Sequence, residues 1–161
     1  MGSMGMSEVQ LMAVAGIDYS TRAVDVVLLD EDSDTATWRR FELSGNDAFD
    51  RTRSVRDRFY TRSWWADSPV IAVGIEDPRG YNAGALYRIQ GAILSCFPAG
   101  MLVHPLIPSQ WRKTVGLPGN ASKEAVGNRV PVSHWNIDWP QDACDAYCIA
   151  LATRSMIQVA A

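Results

Sequence analysis

LMAVAGIDYSTRAVDVVLLD, residues 11–30, is the stretch on which the fold class turns. Two apolar runs, 11–19 and 22–30, are separated by a short polar turn, which predicts an antiparallel hairpin. Asp18 stands at the end of the first run. A carboxylate costs several kcal/mol to bury without compensation, so an acid placed at the lip of a core strand demands a partner.

Reading onward, residues 36–43 (ATWRRFEL) mix apolar and charged positions, as a half-exposed third strand does. Ser44 to Asp47 offer N-cap residues for a helix of about 46–64, with Phe49, Val55 and Phe59 on one side. A fourth strand, 69–76, ends in Glu76, and Pro78 to Gly80 then break the chain. Asn82 starts a helix to about residue 97, and MLVHPLI (101–107) is a fifth strand. Ser109 caps a short helix (SQWRKTV) and Ser122 another (KEAVGNRV). Pro140 suits the first turn of the final helical stretch, WPQDACDAYCIALATRSM, because its missing N–H costs nothing there. This order predicts an α/β fold whose mixed five-stranded sheet has three antiparallel strands, then two parallel ones, flanked by helices. Residues 1–6 (MGSMGM) read as a tail left by cloning, with the native start at Met4 or Met6, and 7–161 as a single domain.

With 47% apolar and 20% charged residues, the composition is that of an ordinary globule. No stretch approaches the roughly 20 apolar residues of a membrane span, and no signal peptide is evident. Cys96, Cys144 and Cys148 lack a CxxC spacing and form an odd set, which favours reduced, buried thiols in a cytoplasmic protein. His104 and His134 are isolated, so no zinc site is expected. A net charge of −3 weighs weakly against a nucleic-acid partner. The charge is unevenly spread, however. Asp30, Glu31, Asp32 and Asp34 crowd one turn, while Arg51, Arg53, Arg56, Arg58 and Arg62 crowd one helix.

Asp18, Glu76 and the pair Asp142 and Asp145 come from three separate elements. Divalent cations are the usual compensation where such acids converge, and the pattern is that of two-metal phosphodiester chemistry. Each acid also has a plainer reading. Asp142 and Asp145 stabilise a helix start by about 0.3–1 kcal/mol whatever else they do, and Asp18 suits the turn after a strand. Glu76 follows buried-looking residues on a strand, where no capping role exists. The arginine-rich helix reads more readily as a solvated face than as a DNA groove. Trp64, Trp65, Trp135 and Trp139 read as core or as dimer surface.

Four segments, GIDYSTRAVDVVLLD, VGIEDPRGYNAGALYRIQGAIL, PSQWRKTVGLPGNASKEAV and WPQDACDAYCIALAT, occur in an order that resembles the RuvC-type Holliday-junction resolvases, crossover junction endodeoxyribonucleases of the RNase H-like superfamily. The third segment is the most specific, with the fourth close behind. The resemblance implies an RNase H-like nuclease domain, a homodimer and cleavage of four-way DNA junctions in the cytoplasm of a bacterial or phage-infected cell. It also implies two Mg2+ or Mn2+ ions per site, and neither a nucleotide cofactor nor a membrane. Asp18, Glu76, Asp142 and Asp145 match the family's metal-binding and catalytic acids, and Lys123 matches its catalytic lysine. Arg112, with Lys113 beside it, matches a basic position near DNA. One departure is that the family's aromatic wedge, three positions after the glutamate, is replaced by Arg79, with Tyr81 the nearest aromatic; both are expected at the DNA. This departure implies a different junction opening or a broader range of branched substrates, as in a phage-type member. The alternatives are an RNase H-like nuclease acting on flaps, forks or RNA–DNA hybrids, and a catalytically weak junction-binding protein. A sugar-kinase-like ATPase, which also begins with a GID-type strand, needs a second half for which 161 residues leave no room.

Overall fold

A computed structural model describes residues 12–60, 69–80, 83–131 and 138–160. Strands β1 (Ala13–Tyr19), β2 (Ala23–Asp30) and β3 (Ala36–Glu42) form the expected antiparallel meander. Strands β4 (Val70–Glu76) and β5 (Leu102–Leu106) add to the other side of β1, parallel to it and to each other, giving the order β3-β2-β1-β4-β5. Helices α1 (Ala48–Val55), α2 (Ala83–Leu94), α3 (Pro108–Thr114), α4 (Lys123–Gly127) and α5 (Gln141–Ala160) lie outside the sheet.

Because side chains alternate across a strand, the sheet separates two cores. Ala15 and Ile17 of β1, Val24 and Val26 of β2, and Val73 and Ile75 of β4 face one side, where they meet Val55, Phe59, Ile89, Ile93 and Phe97. Phe59 stacks edge-on against Phe41 and Phe97. The other face carries Val27, Leu29 and Ala36, packed against Trp111, Val126 and the buried side of α5.

Two glycines set how closely α5 approaches. A Cβ at Gly16 of β1 would lie 2.0 Å from the Ala146 carbonyl oxygen and 2.4 Å from the Ala150 nitrogen. One at Gly74 of β4 would lie 1.9 Å from Thr153 Oγ1. A strand glycine of this kind marks close backbone approach. The N-terminus of α5 is fixed from the other side by Trp139, whose ring lies 6.2 Å from Trp38 and 6.4 Å from Tyr147.

Several sequence expectations are corrected. The helix expected over 46–64 is α1 followed by one π-helical turn, Arg56–Tyr60, and residues 61–68 lie outside the described set. Asp47 is its N-cap, accepting from the Phe49 and Asp50 N–H groups. Val55 and Phe59 are buried, but Phe49 is 64% exposed, with Arg88 over its ring. Residues 49 and 55 are six positions apart, which at about 100° per residue puts them on different sides of a helix. α3 begins at Pro108, ahead of Ser109, with Ile107 as an N-cap that offers no side-chain bond. Ser122 does cap α4, accepting from the Ala125 N–H. The three cysteines are free and buried, as expected, and burial pushes the Cys148 thiol up to about 12. Trp139 is half-buried and packs against the core; Trp64, Trp65 and Trp135 lie outside the described residues. No helix among the described residues is long and apolar enough to cross a membrane.

Candidate active site

Asp18 sits near the C-terminal end of β1 on the face that α5 covers, since its alternate neighbours Ala15 and Ile17 point the other way. Directly across from it on β2 is Asp25, and across from Asp25 on β3 is Arg40. On the other side, Glu76 of β4 is one position beyond the Ile17–Ile75 pair. The sheet therefore carries one lateral row of charge, Glu76, Asp18, Asp25, Arg40, across four adjacent strands. The N-terminal end of α5 lies over this row and supplies Asp142, in its first turn, and Asp145, one turn further on.

Each acid has its own partner. Asp18 Oδ1 accepts from the Tyr19 N–H at 2.9 Å. Glu76 Oε2 accepts from Trp111 Nε1, a fully buried indole, at 3.2 Å. Its main-chain oxygen is pinned by the Tyr19 hydroxyl and by Gln90 Nε2, which fixes the end of β4. Asp145 Oδ1 accepts from Gln141 Nε2 at 2.8 Å, and Asp142 Oδ2 from Arg40 at 3.3 Å. Asp25, only 2% exposed, accepts from Trp38 Nε1 at 2.9 Å and from Arg40 at 3.0 and 3.3 Å.

The electrostatics follow from this crowding. Burial raises the Asp18 carboxyl well above the usual carboxylate range, and the charges of Glu76, Asp145, Asp142 and Asp25 push it further. Burial also raises Glu76 and Asp145. The Trp111 hydrogen bond and then Arg112 oppose it at Glu76, and the Gln141 bond, Arg112 and Lys123 oppose it at Asp145. Asp25 is raised by burial against the pull of Trp38 and Arg40.

The four acids act on one another without closing to ligand distance. Among the described residues, no three Asp, Glu, His or Cys side chains stand together tightly enough to hold an ion as they are. Mutual repulsion and separate partners account for that spacing. The donor set nonetheless suits a hard divalent cation. All donors are carboxylate oxygens, and Asp18, Glu76, Asp142 and Asp145 each keep one oxygen that accepts no hydrogen bond from the described residues.

The basic candidates surround this row unevenly. Arg112 is half-buried, its guanidinium 5.0 Å over the Trp111 ring and bonded to the Gly119 carbonyl. Its charge acts on both Glu76 and Asp145. Lys123 is exposed at the start of α4 and acts on Asp145. Lys113 is exposed on α3. Arg79 is exposed after β4 and pairs with Asp77 at 3.3 Å; Tyr81 lies outside the described residues. Sequence reasoning missed Asp25, Arg40 and Trp38. The signal for Asp25 was present, an acid flanked by apolar residues in AVDVVLLD.

No family model matches the chain, and no curated protein matches its sequence. Solved structures do match. A Thermus thermophilus RuvC structure superposes with a TM-score of 0.69 at 21% identity, covering 92% of this chain and 97% of that one. T. thermophilus RuvC in complex with a Holliday junction substrate gives a TM-score of 0.72, again at 21% identity, covering 92% and 96%. The mixed sheet with its helices is the RNase H-like architecture of those structures, and the chain has the RuvC fold.

Proposed function

We propose that this chain is a metal-dependent, structure-selective endodeoxyribonuclease that resolves four-way DNA junctions and accepts other branched DNAs. The observation that carries the reading is the row of carboxylates at the ends of β1 and β4, covered by the acidic N-terminal end of α5, on a fold shared with a protein solved on a Holliday junction. An acid cluster whose members raise one another's pKa is unstable alone and finds compensation in a cation.

In this reading Asp18, Glu76, Asp142 and Asp145 hold two Mg2+ or Mn2+ ions. When bound, such ions activate a water and neutralise charge on the entering and leaving oxygens of a phosphodiester. Asp18, between Glu76 on β4 and Asp25 on β2 in the row, would be the acid closest to the centre of the set and would hold metal together with Glu76, Asp142 and Asp145. Lys123, exposed beside Asp145, places positive charge at the scissile phosphate. Arg112 and Lys113 hold the backbone from α3, contacts that position DNA without reading sequence. Arg79, just after β4, meets the branch point, and Tyr81 acts with it there. An exposed arginine where RuvC-type enzymes carry an aromatic wedge favours tolerance of flaps and forks over strict junction choice. A junction has two-fold symmetry, so two matched nicks call for a homodimer. The enzyme works in the cytoplasm and needs no nucleotide cofactor.

The test is a panel of end-labelled substrates, namely a mobile four-way junction, a flap, a fork and an RNA–DNA hybrid, each with and without Mg2+ or Mn2+. Paired, symmetry-related nicks in the junction are expected. Asp18→Asn should abolish them while leaving junction binding intact in a gel-shift assay. Cleavage confined to the hybrid, or more than a few per cent of activity in Asp18→Asn, refutes the reading.

A further inference from the structure

Arg40 joins three carboxylates from three elements. Its Nη1 donates to Asp25 on β2 at 3.0 and 3.3 Å and to Asp142 on α5 at 3.3 Å, while its Nε donates to Glu42 on β3 at 2.9 Å. These contacts are unequal. Asp25 is buried and permanently committed, since Trp38 Nε1 holds the same carboxylate. Asp142 is 52% exposed and makes a single contact at 3.3 Å, where Asp25 approaches to 3.0 Å with a second oxygen at 3.3 Å. The guanidinium can release Asp142 and keep Asp25 and Glu42. It cannot release Asp25 without leaving a buried acid unpaired, which is far more costly.

The position in the sheet gives this contact its meaning. Arg40 closes the row of charge on the side away from Glu76 and draws Asp142 toward β3. Metal-free, one fixed cation already offsets part of the negative charge that would attract a divalent ion.

We propose that Arg40 is an internal competitor for the metal site, a guanidinium that occupies Asp142 in the metal-free protein and is displaced from it when the cation enters. The inference rests on the reading of Asp142 as a metal ligand. Asp25, Trp38 and Glu42 act as its holder, keeping Arg40 within reach so that Asp142 exchanges one cation for another. Arg40 is thus a positioning residue that sets the metal concentration at which the site fills.

The test is Mn2+ binding by isothermal titration calorimetry, with EDTA-treated protein and no DNA. Removing one unit charge within a side chain's length of a divalent ion changes affinity by about tenfold even with the full screening of bulk water, and about tenfold is therefore the smallest gain expected. Arg40→Gln should therefore bind Mn2+ at least about tenfold more tightly than wild type. Since that variant strands buried Asp25, the paired variant Asp25→Asn/Arg40→Gln, which keeps the Trp38 bond but removes one charge of each sign, should still bind more tightly than wild type because Asp142 is freed, by less than Arg40→Gln alone. Glu42→Gln, which leaves Arg40 with Asp25 and Asp142 and removes one negative charge, should not tighten binding. In an Asp142→Asn background the gain from Arg40→Gln should shrink, because the carboxylate they compete for is gone and only the through-space effect of the charge remains. Unchanged or weaker binding in both Arg40 variants, with wild type binding normally, overturns the competitor role and leaves the metal site standing. No Mn2+ binding by any of the proteins removes the metal reading itself, and this inference with it.

Discussion

Gly74→Ala, alone and combined with Thr153→Ala, measures how tightly α5 is set against the sheet. The new Cβ would sit 1.9 Å from Thr153 Oγ1, then 3.0 Å from Ile149 Cγ2 and 3.2 Å from the Ile149 carbonyl. Ordinary contact is about 3.5–4 Å, so the first overlap is severe and the others slight. Overpacking of this order costs about 3 kcal/mol. Thr153→Ala removes a buried hydroxyl that donates to the Ile149 carbonyl at 2.8 Å. That carbonyl lies within α5, so the loss is about 1 kcal/mol. Additive behaviour would make the double variant about 4 kcal/mol less stable than wild type. Deleting Oγ1 clears the severe overlap, however, so the double variant should lose only about 1–2 kcal/mol, a coupling of about 2–3 kcal/mol. Urea unfolding of the four proteins in EDTA, followed by far-UV circular dichroism, supplies the cycle. Gly16→Ala is the control, because its nearest contacts are backbone atoms of α5 at 2.0 and 2.4 Å, which no side-chain deletion relieves. Additivity within about 0.5 kcal/mol would mean that α5 yields freely, and the close-approach argument would fail.

Two further outcomes are expected from the acids. Asp18, Glu76, Asp25 and Asp145 all have raised carboxyl pKa values. The folded state then binds protons more tightly than the unfolded chain, so metal-free stability should rise as pH falls from neutrality toward the ordinary carboxylate range near about 4. Asp18→Asn should flatten that rise, and a wild type whose melting temperature in EDTA falls steadily from pH 7.5 to pH 5.5, each about, contradicts the crowding. Mn2+ at about ten times its dissociation constant should stabilise wild type by about 1.4 kcal/mol, a melting shift of roughly 3–6 °C. Asp145→Asn should gain clearly less, and equal shifts in the two proteins would make Asp145 a helix-start residue and no ligand.

The mixed sheet was legible in its apolar runs, and Asp18 and Glu76 stood out because each ends such a run, where buried charge is conspicuous; Asp142 and Asp145 open a helix, and only the ordered segments joined them to the other two. Asp25 interrupts such a run and was passed over, because AVDVVLLD reads as continuous strand and its compensating cation is not nearby in sequence. Arg39 and Arg40 are adjacent and chemically identical; only the pairing of β2 with β3 decides which of them faces Asp25. Phe49 was misplaced because apolar residues were grouped without their angular spacing. Gly16 and Gly74 carried a readable signal, glycine inside a strand, but what approaches them comes from far along the chain.

The distance along the chain between the sheet and α5 has a consequence for synthesis. Arg40 and Asp142 are 102 residues apart in sequence, and α5 packs on β1, β2 and β4. Contacts of such separation close slowly, since the loop entropy is lost before they form. During translation the meander and β4 emerge with Asp18 and Glu76 long before α5 does, exposing the glycine-lined face and its apolar neighbours. A partly made chain therefore holds only half of the acid set. The sheet face that α5 later covers stays open to solvent for that interval, which is when such a chain is most exposed to aggregation.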